Sequence, residues 1–152
     1  MSYYQVFESP PESFDERLQG AGCYCEYEGK ILLIRRHESS RDGGTWCVPG
    51  GTREPSETPV QTVVREVYEE VGFSIEESLT EPVGRFYIRL PEVEYVFHTF
   101  RYRLLTKPSL VLAWAEHTAA LWVTADEALQ FPLIRGGRET LLHYKNTCLS
   151  SR

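Results

Sequence analysis

The sequence has no apolar run approaching the roughly twenty residues that a membrane-spanning helix needs. It has no basic excess: 16 Lys and Arg stand against 22 Asp and Glu, for a net charge of −6. Broad nucleic-acid binding calls for a basic surface and is not expected. A small phosphorylated ligand stays open, because a bound cation reverses the local sign. Cysteine is scarce, and none of the 4 residues stands in a Cys-x-x-Cys pair. Zinc and dithiol patterns are therefore missing. Cys23 and Cys25 lie two apart in a strand-like run and should point to one face as reduced, structural thiols. There are no internal repeats and no low-complexity tract. No signal-peptide h-region follows Met1, so a cytoplasmic location is the expectation.

What is present suits one domain. A chain of 152 residues can bury roughly two thirds of its unfolded surface without staples. Residues 1–18, with Pro10-Pro11, read as an N-terminal arm, and 19–152 as the domain. Tyr3, Tyr4, Phe7 and Phe14 suggest that the arm packs on its own domain or on a second subunit. Monomer and homodimer both stay open.

Gly22 to Tyr27 and Ile31 to Ile34 flank Glu28-Gly29-Lys30, which predicts a hairpin. The unbroken Ile31-Leu-Leu-Ile34 run suggests a strand buried on both faces. His37 to Thr45 is a polar loop, and Cys47-Val48 a short strand. Val83 to Leu90 and Glu94 to Leu105 read as strands, and Leu110 to Trp114 as a further short one. Thr124 caps a short helix through Leu129, with Glu127 completing a capping box. Ile134 to Cys148 is the expected second main helix. Many strands with two main helices imply an α+β or layered α/β/α domain.

The stretch from Gly51 to Phe73 organises the rest. Thr58 as N-cap, Pro59 at the first helical position and Gln61 in a capping box start a helix. Gly72 ends it at about Val71. At about 100° per residue, Val60, Val63, Val64, Val67 and Val71 share one face. Glu66, Glu69 and Glu70 share a neighbouring one. Arg65 stands four residues before Glu69 and can pair with it. Three carboxylates so close repel one another, and a hard divalent cation such as Mg²⁺ turns that repulsion into attraction. A solvated acidic face is the plainer reading of such a helix taken alone.

The surroundings decide against the plainer reading. Gly51, Glu57, Arg65-Glu66, Glu69-Glu70 and Gly72 stand at the spacing G-x5-E-x7-R-E-U-x-E-E-x-G-U, with Val67 and Phe73 at the apolar positions. This is the Nudix box, and the sequence resembles the Nudix hydrolases. The lead-in Trp46-Cys-Val-Pro-Gly-Gly51 and the distal Glu116-His-Thr-Ala-Ala-Leu-Trp122 resemble family segments as well.

The resemblance implies a mixed sheet between helices. It also implies hydrolysis of a nucleoside diphosphate linked to another moiety, such as a nucleoside triphosphate, an ADP-sugar or a dinucleoside polyphosphate. Mg²⁺, with Mn²⁺ as substitute, is the implied cofactor. Glu66 and Glu70 become metal ligands, Glu69 a further ligand or base, and Gly50 or Gly51 a carbonyl donor. Arg65 orients the carboxylates, and Glu57 stabilises the turn or simply favours the helix N-terminus. Glu116 is the later candidate for general base, and His117 a bystander beside it. Arg35, Arg36 and Arg53 are the candidate phosphate contacts, since arginine pairs bidentately with phosphate oxygens. Phe7, Tyr87, Tyr95, Phe97 and Trp114 can stack on a base or pack in the core. The alternative is a nucleotide-binding regulatory module that keeps the fold with little turnover.

Overall fold

The structure, a computed structural model, describes residues 3–149. Its frame is one mixed sheet of eight strands. These are β1 (Gln5–Phe7), β2 (Gln19–Tyr27), β3 (Lys30–Arg36), β4 (Trp46–Cys47), β5 (Gly50–Thr52), β6 (Glu81–Arg89), β7 (Glu94–Arg103) and β8 (His117–Val123). The main path runs β1-β6-β7-β2-β3-β4; β5 also pairs with β2, and β8 with β3. The β2–β7 pairing is parallel. The helices are α1 (Pro59–Val71), the short α2 (Ala125–Ala128) and α3 (Gly137–Tyr144).

Alternation along β2 and β3 builds two cores, and Phe86, Ile88 and Leu90 form a third cluster. Ala21, Cys23 and Cys25 of β2 join Leu32 and Ile34 of β3 against the Val63, Val67 and Val71 face of α1. Tyr24, with Ile31 and Leu33, faces the other way onto Val123, Ala128, Leu141 and Tyr144. The sheet therefore lies between α1 and α3, as a layered α/β/α domain. Ile31 to Ile34 are all buried, as an unbroken apolar run requires. All 4 cysteines are free.

The start of α1 follows from its caps. Thr58 accepts from the Gln61 N–H, and Gln61 accepts from the Thr58 N–H. Gly72 closes the helix at φ +85°, which an L side chain rarely adopts. The box spacing thus places α1 at the bounds the sequence predicts.

The leader contributes β1, since Gln5–Phe7 pairs with Tyr87–Arg89 of β6. Two expectations change. Leu110 to Trp114 forms no strand. Its Val111 and Ala113 N–H groups bond to the Val71 and Glu70 carbonyls, satisfying the open C-terminal end of α1. The last helix starts later than Ile134, because Leu133 bridges to Trp46 and Gly136 turns at φ +88°. After Tyr144 the coil widens into a π-type turn, Lys145–Leu149.

Candidate active site

Gly50 and Gly51 lie in β5, which pairs with β2 and packs against α1. The Gly50 N–H donates to Glu70 Oε1 at 2.8 Å. A Cβ at Gly50 would stand 2.2 Å from the Ala21 carbonyl oxygen, and one at Gly51 would stand 2.4 Å from the Glu66 carboxylate. Gly50 has no room for a side chain, because the contact is with backbone, whereas a side chain at Gly51 would displace the Glu66 carboxylate. Gly51 thereby brings the β5 backbone directly against Glu66.

The three box carboxylates have different environments. Glu70 is buried, not part of a solvated face. Burial, reinforced by the charges of Glu66 and Glu116, holds its pKa well above the ordinary value. Burial also raises Glu66, with Glu69 and Glu116 adding to it and Arg65 opposing. Glu69 is the open one, its side chain 55% exposed and paired to Arg65 at 3.1 Å.

Arg65 ties this face together. It donates to both oxygens of Glu57 at 2.5 and 3.0 Å, and to Glu66 at 3.0 Å. Its last bond goes to the Thr52 carbonyl at 3.0 Å. Glu57 also accepts from Thr62 Oγ1 and from the Glu54 N–H. The role of Glu57 therefore reaches beyond a favourable charge at a helix end, since it positions the arginine that positions the other carboxylates. The Arg65 hydrogen bonds hold its carboxyl down at about 2.

The start of β8 completes the cluster. One ligand atom each of Glu70, Glu116 and His117 lies within 4.8 Å of the other two. Position 116 is thus brought to the box carboxylates from some fifty residues away. His117 is buried, with Nε2 3.8 Å from Glu70 Oε2. Burial, and then the charge of Arg36, lowers its pKa to about 4. The ring is neutral at neutral pH, so this contact is not an ion pair. Its Nδ1 is buried and has no partner. The structure thus places His117, expected as a bystander beside Glu116, in contact with the same cluster. Its adjacency to Glu116 was the available signal.

These features fit a divalent cation. Carboxylates of raised pKa meet without enough positive charge beside them, and Gly51 brings the backbone close. Glu66 and Glu70 can supply oxygen ligands, with Glu116, Glu69 or His117 within reach of the same region.

On the α3 side of Gly50 lies a cavity of about 220 Å³. Trp46, Tyr95, Phe97 and Leu133 are among its walls, and Arg36 lines it too. The three candidate arginines separate here. Arg36 faces the cavity and donates from Nε to the Arg41 carbonyl. Arg35 is engaged with Thr118 and Glu38, and Arg53 fastens the turn through the Glu57 carbonyl. The aromatic candidates separate as well. Tyr95 and Phe97 line the cavity. Tyr87 is buried against Phe14, Phe7 lies under Arg89, and Trp114 is 65% exposed.

Sequence reasoning missed the polar wall of this cavity. Arg135 donates to Asp42 from its backbone N–H and from Nε and Nη2, and to Glu92 from Nη2 at 2.5 Å. The pair joins residues 93 positions apart, and no local pattern marks it.

Residues 16–144 match the NUDIX domain family. The chain belongs to that family. CTP pyrophosphohydrolase from Escherichia coli (strain K12) is 36% identical over 110 residues, covering 71% of this chain and 76% of that protein. A MutT-like protein from Streptomyces ambofaciens is 36% identical over 129 residues, 84% of this chain and 74% of that one. The crystal structure of a MutT protein from Methanosarcina mazei Go1 matches with a TM-score of 0.77 at 25% identity, covering 91% of this chain and 100% of that chain. This Nudix protein is accordingly an enzyme, a pyrophosphohydrolase. Among its described residues no helix is long and apolar enough to cross a membrane.

Proposed function

We propose that this Nudix hydrolase uses Mg²⁺, with Mn²⁺ as substitute, to cleave the pyrophosphate linkage of a nucleoside diphosphate joined to another moiety. One observation carries the reading: the ring-lined cavity meets the buried carboxylate cluster at Gly50, whose N–H is bonded to Glu70. A nucleoside in the cavity, between Tyr95, Phe97 and Trp46, has its phosphates beside Arg36 and the carboxylates. The resemblance to a CTP pyrophosphohydrolase supports a nucleotide as the ligand.

The residues divide the work. Glu66 and Glu70, joined by Glu69 and the Gly50 carbonyl, would hold the cation. When bound, it supplies charge neutralisation at the phosphate oxygens and a more acidic water. Arg65 fixes the carboxylate directions through its bonds to Glu57, Glu66 and Glu69. Arg36 pairs with phosphate oxygens at the cavity mouth. Glu116, exposed but close to Glu70, takes the proton of the attacking water. The reduced cysteines fit a cytoplasmic setting.

Incubation with a nucleoside triphosphate, an ADP-sugar and a dinucleoside polyphosphate tests the reading, each with and without Mg²⁺. A nucleoside monophosphate or diphosphate should appear only with the metal. Tight binding of all three classes with no product from any of them would turn the protein into a binding module.

A further inference from the structure

The polar wall of the cavity is a buried fork. Arg135 meets both oxygens of Asp42, from its backbone N–H to Oδ2 at 3.0 Å and from Nη2 to Oδ1 at 2.8 Å. The Arg135 side chain is 15% exposed and that of Asp42 9%. A buried ion pair adds little net stability, because lost hydration offsets the attraction. What a two-pronged pair fixes is geometry. The turn it holds needs fixing. Asp42 stands in the loop between β3 and β4 at φ +56°, a conformation uncommon for a residue with a side chain. Arg135 reaches the neighbouring residue by a second route. It donates to Glu92 from Nη1 and Nη2, and Glu92 stands 3.8 Å from Arg41 Nε.

Arg41 is therefore held on both sides, and its carbonyl is the group to which Arg36 Nε donates at 2.7 Å. The same loop returns the Gly44 N–H to the Arg36 carbonyl at 3.0 Å. An unbroken line of contacts runs from Arg135 through Asp42 and Arg41 to Arg36, and both of its ends line the cavity. The Arg36 charge is felt at Glu70 as well, where it opposes the effect of burial. We propose that Arg135 is a positioning residue that acts through Asp42 and the Arg41 carbonyl, holding the Arg36 guanidinium where the substrate's phosphates pass from the cavity to the carboxylates. This rests on the reading of Arg36 as a phosphate contact. A guanidinium on an untethered loop would have to be ordered at the moment of binding, and the clamp removes that cost in advance.

The test is a double-mutant cycle on Arg36→Ala and Arg135→Lys, the second of which keeps the charge and loses the fork. The probe is inorganic pyrophosphate, the linkage shared by every candidate substrate, titrated calorimetrically with Mg²⁺ present. Arg36→Ala should weaken binding about tenfold. Arg135→Lys should weaken it several-fold in the wild-type background and add almost nothing once Arg36 is gone. Mg²⁺ titrated alone should bind Arg135→Lys as it binds wild type. An equal loss in both backgrounds overturns the proposal, because Arg135 would then not act through Arg36. So does a matching loss of Mg²⁺ affinity, which would mark a general loosening of the fold. Wild-type binding by Arg36→Ala, or no pyrophosphate binding by the wild-type protein, sinks the phosphate reading of Arg36 and the proposal with it. A normal loss in Arg36→Ala with none in Arg135→Lys overturns the positioning role alone. If Arg135→Lys does not fold, Asp42→Asn runs the same cycle from the other partner, since asparagine tolerates the positive φ.

Discussion

Arg65 Nε and Nη2 meet the two oxygens of Glu57 in a fork, and that fork orients Nη1 toward Glu66 and Glu69. Charge-assisted, bidentate pairs of this kind are stronger than neutral hydrogen bonds. Glu57→Gln should therefore cost about 1–3 kcal/mol of stability. It should also lower kcat, because Arg65 loses its reference point. Chemical denaturation and steady-state kinetics check both effects. The pH dependence has a definite sign. The folded pKa of about 2 lies below the ordinary 4.5, so the contribution of Glu57 is full above about pH 4.5 and is lost as pH falls toward 2. Glu57→Gln should flatten that acid limb of the stability curve. Glu70 has the opposite sign. Its folded pKa is raised, so without metal its effect on stability worsens as pH rises above about 4.5. A metal-free Glu70→Gln protein should melt no lower than wild type at neutral pH, since glutamine still accepts the Gly50 N–H and carries no buried charge.

At the scale of elements, α1 is held by packing and by its caps more than by propensity, since valine is a mediocre helix former. Val67 is fully buried against the β2 core, and Val67→Ala should cost about 1–3 kcal/mol. Thr58→Ala should cost about 1 kcal/mol through the lost cap. Unchanged denaturation midpoints in both variants would refute the account of this helix. The helix was legible because its signals are local. Capping residues, a valine stripe and a glycine stop all fall within sixteen residues. The carboxylate and arginine positions followed from the same spacing. The opposite wall of the cavity was not legible. Asp42 meets Arg135, and Trp46 meets Leu133, only after the sheet has formed. Leu110 to Trp114 read as a strand because its residues are apolar. Its N–H groups instead satisfied helix carbonyls, a choice that tertiary contact makes and periodicity cannot reveal. Glu116 was reached only as a candidate base, through the family resemblance of its segment, and its place beside Glu70 had no signal in local spacing.

For the molecule as a whole, the proposed function links metal, stability and turnover through one cluster. A cation that binds the folded carboxylates and not the unfolded chain must stabilise the fold by mass action, by about 2.7 kcal/mol at a hundredfold excess over Kd. Thermal unfolding across a Mg²⁺ titration should show this rise, and Glu66→Gln should reduce it. Monovalent salt at matched ionic strength should reproduce only part of it, because screening cannot bridge carboxylates. Val67→Ala should lower the whole curve while keeping the response to Mg²⁺. The most direct measurement is hydrolysis of a nucleotide substrate by wild type and Glu70→Gln across one Mg²⁺ series, with folding of both checked by circular dichroism. The account predicts a folded variant whose turnover falls by about a hundredfold and whose Mg²⁺ requirement shifts to higher concentration. A folded Glu70→Gln protein with wild-type rate and wild-type Mg²⁺ dependence would contradict it.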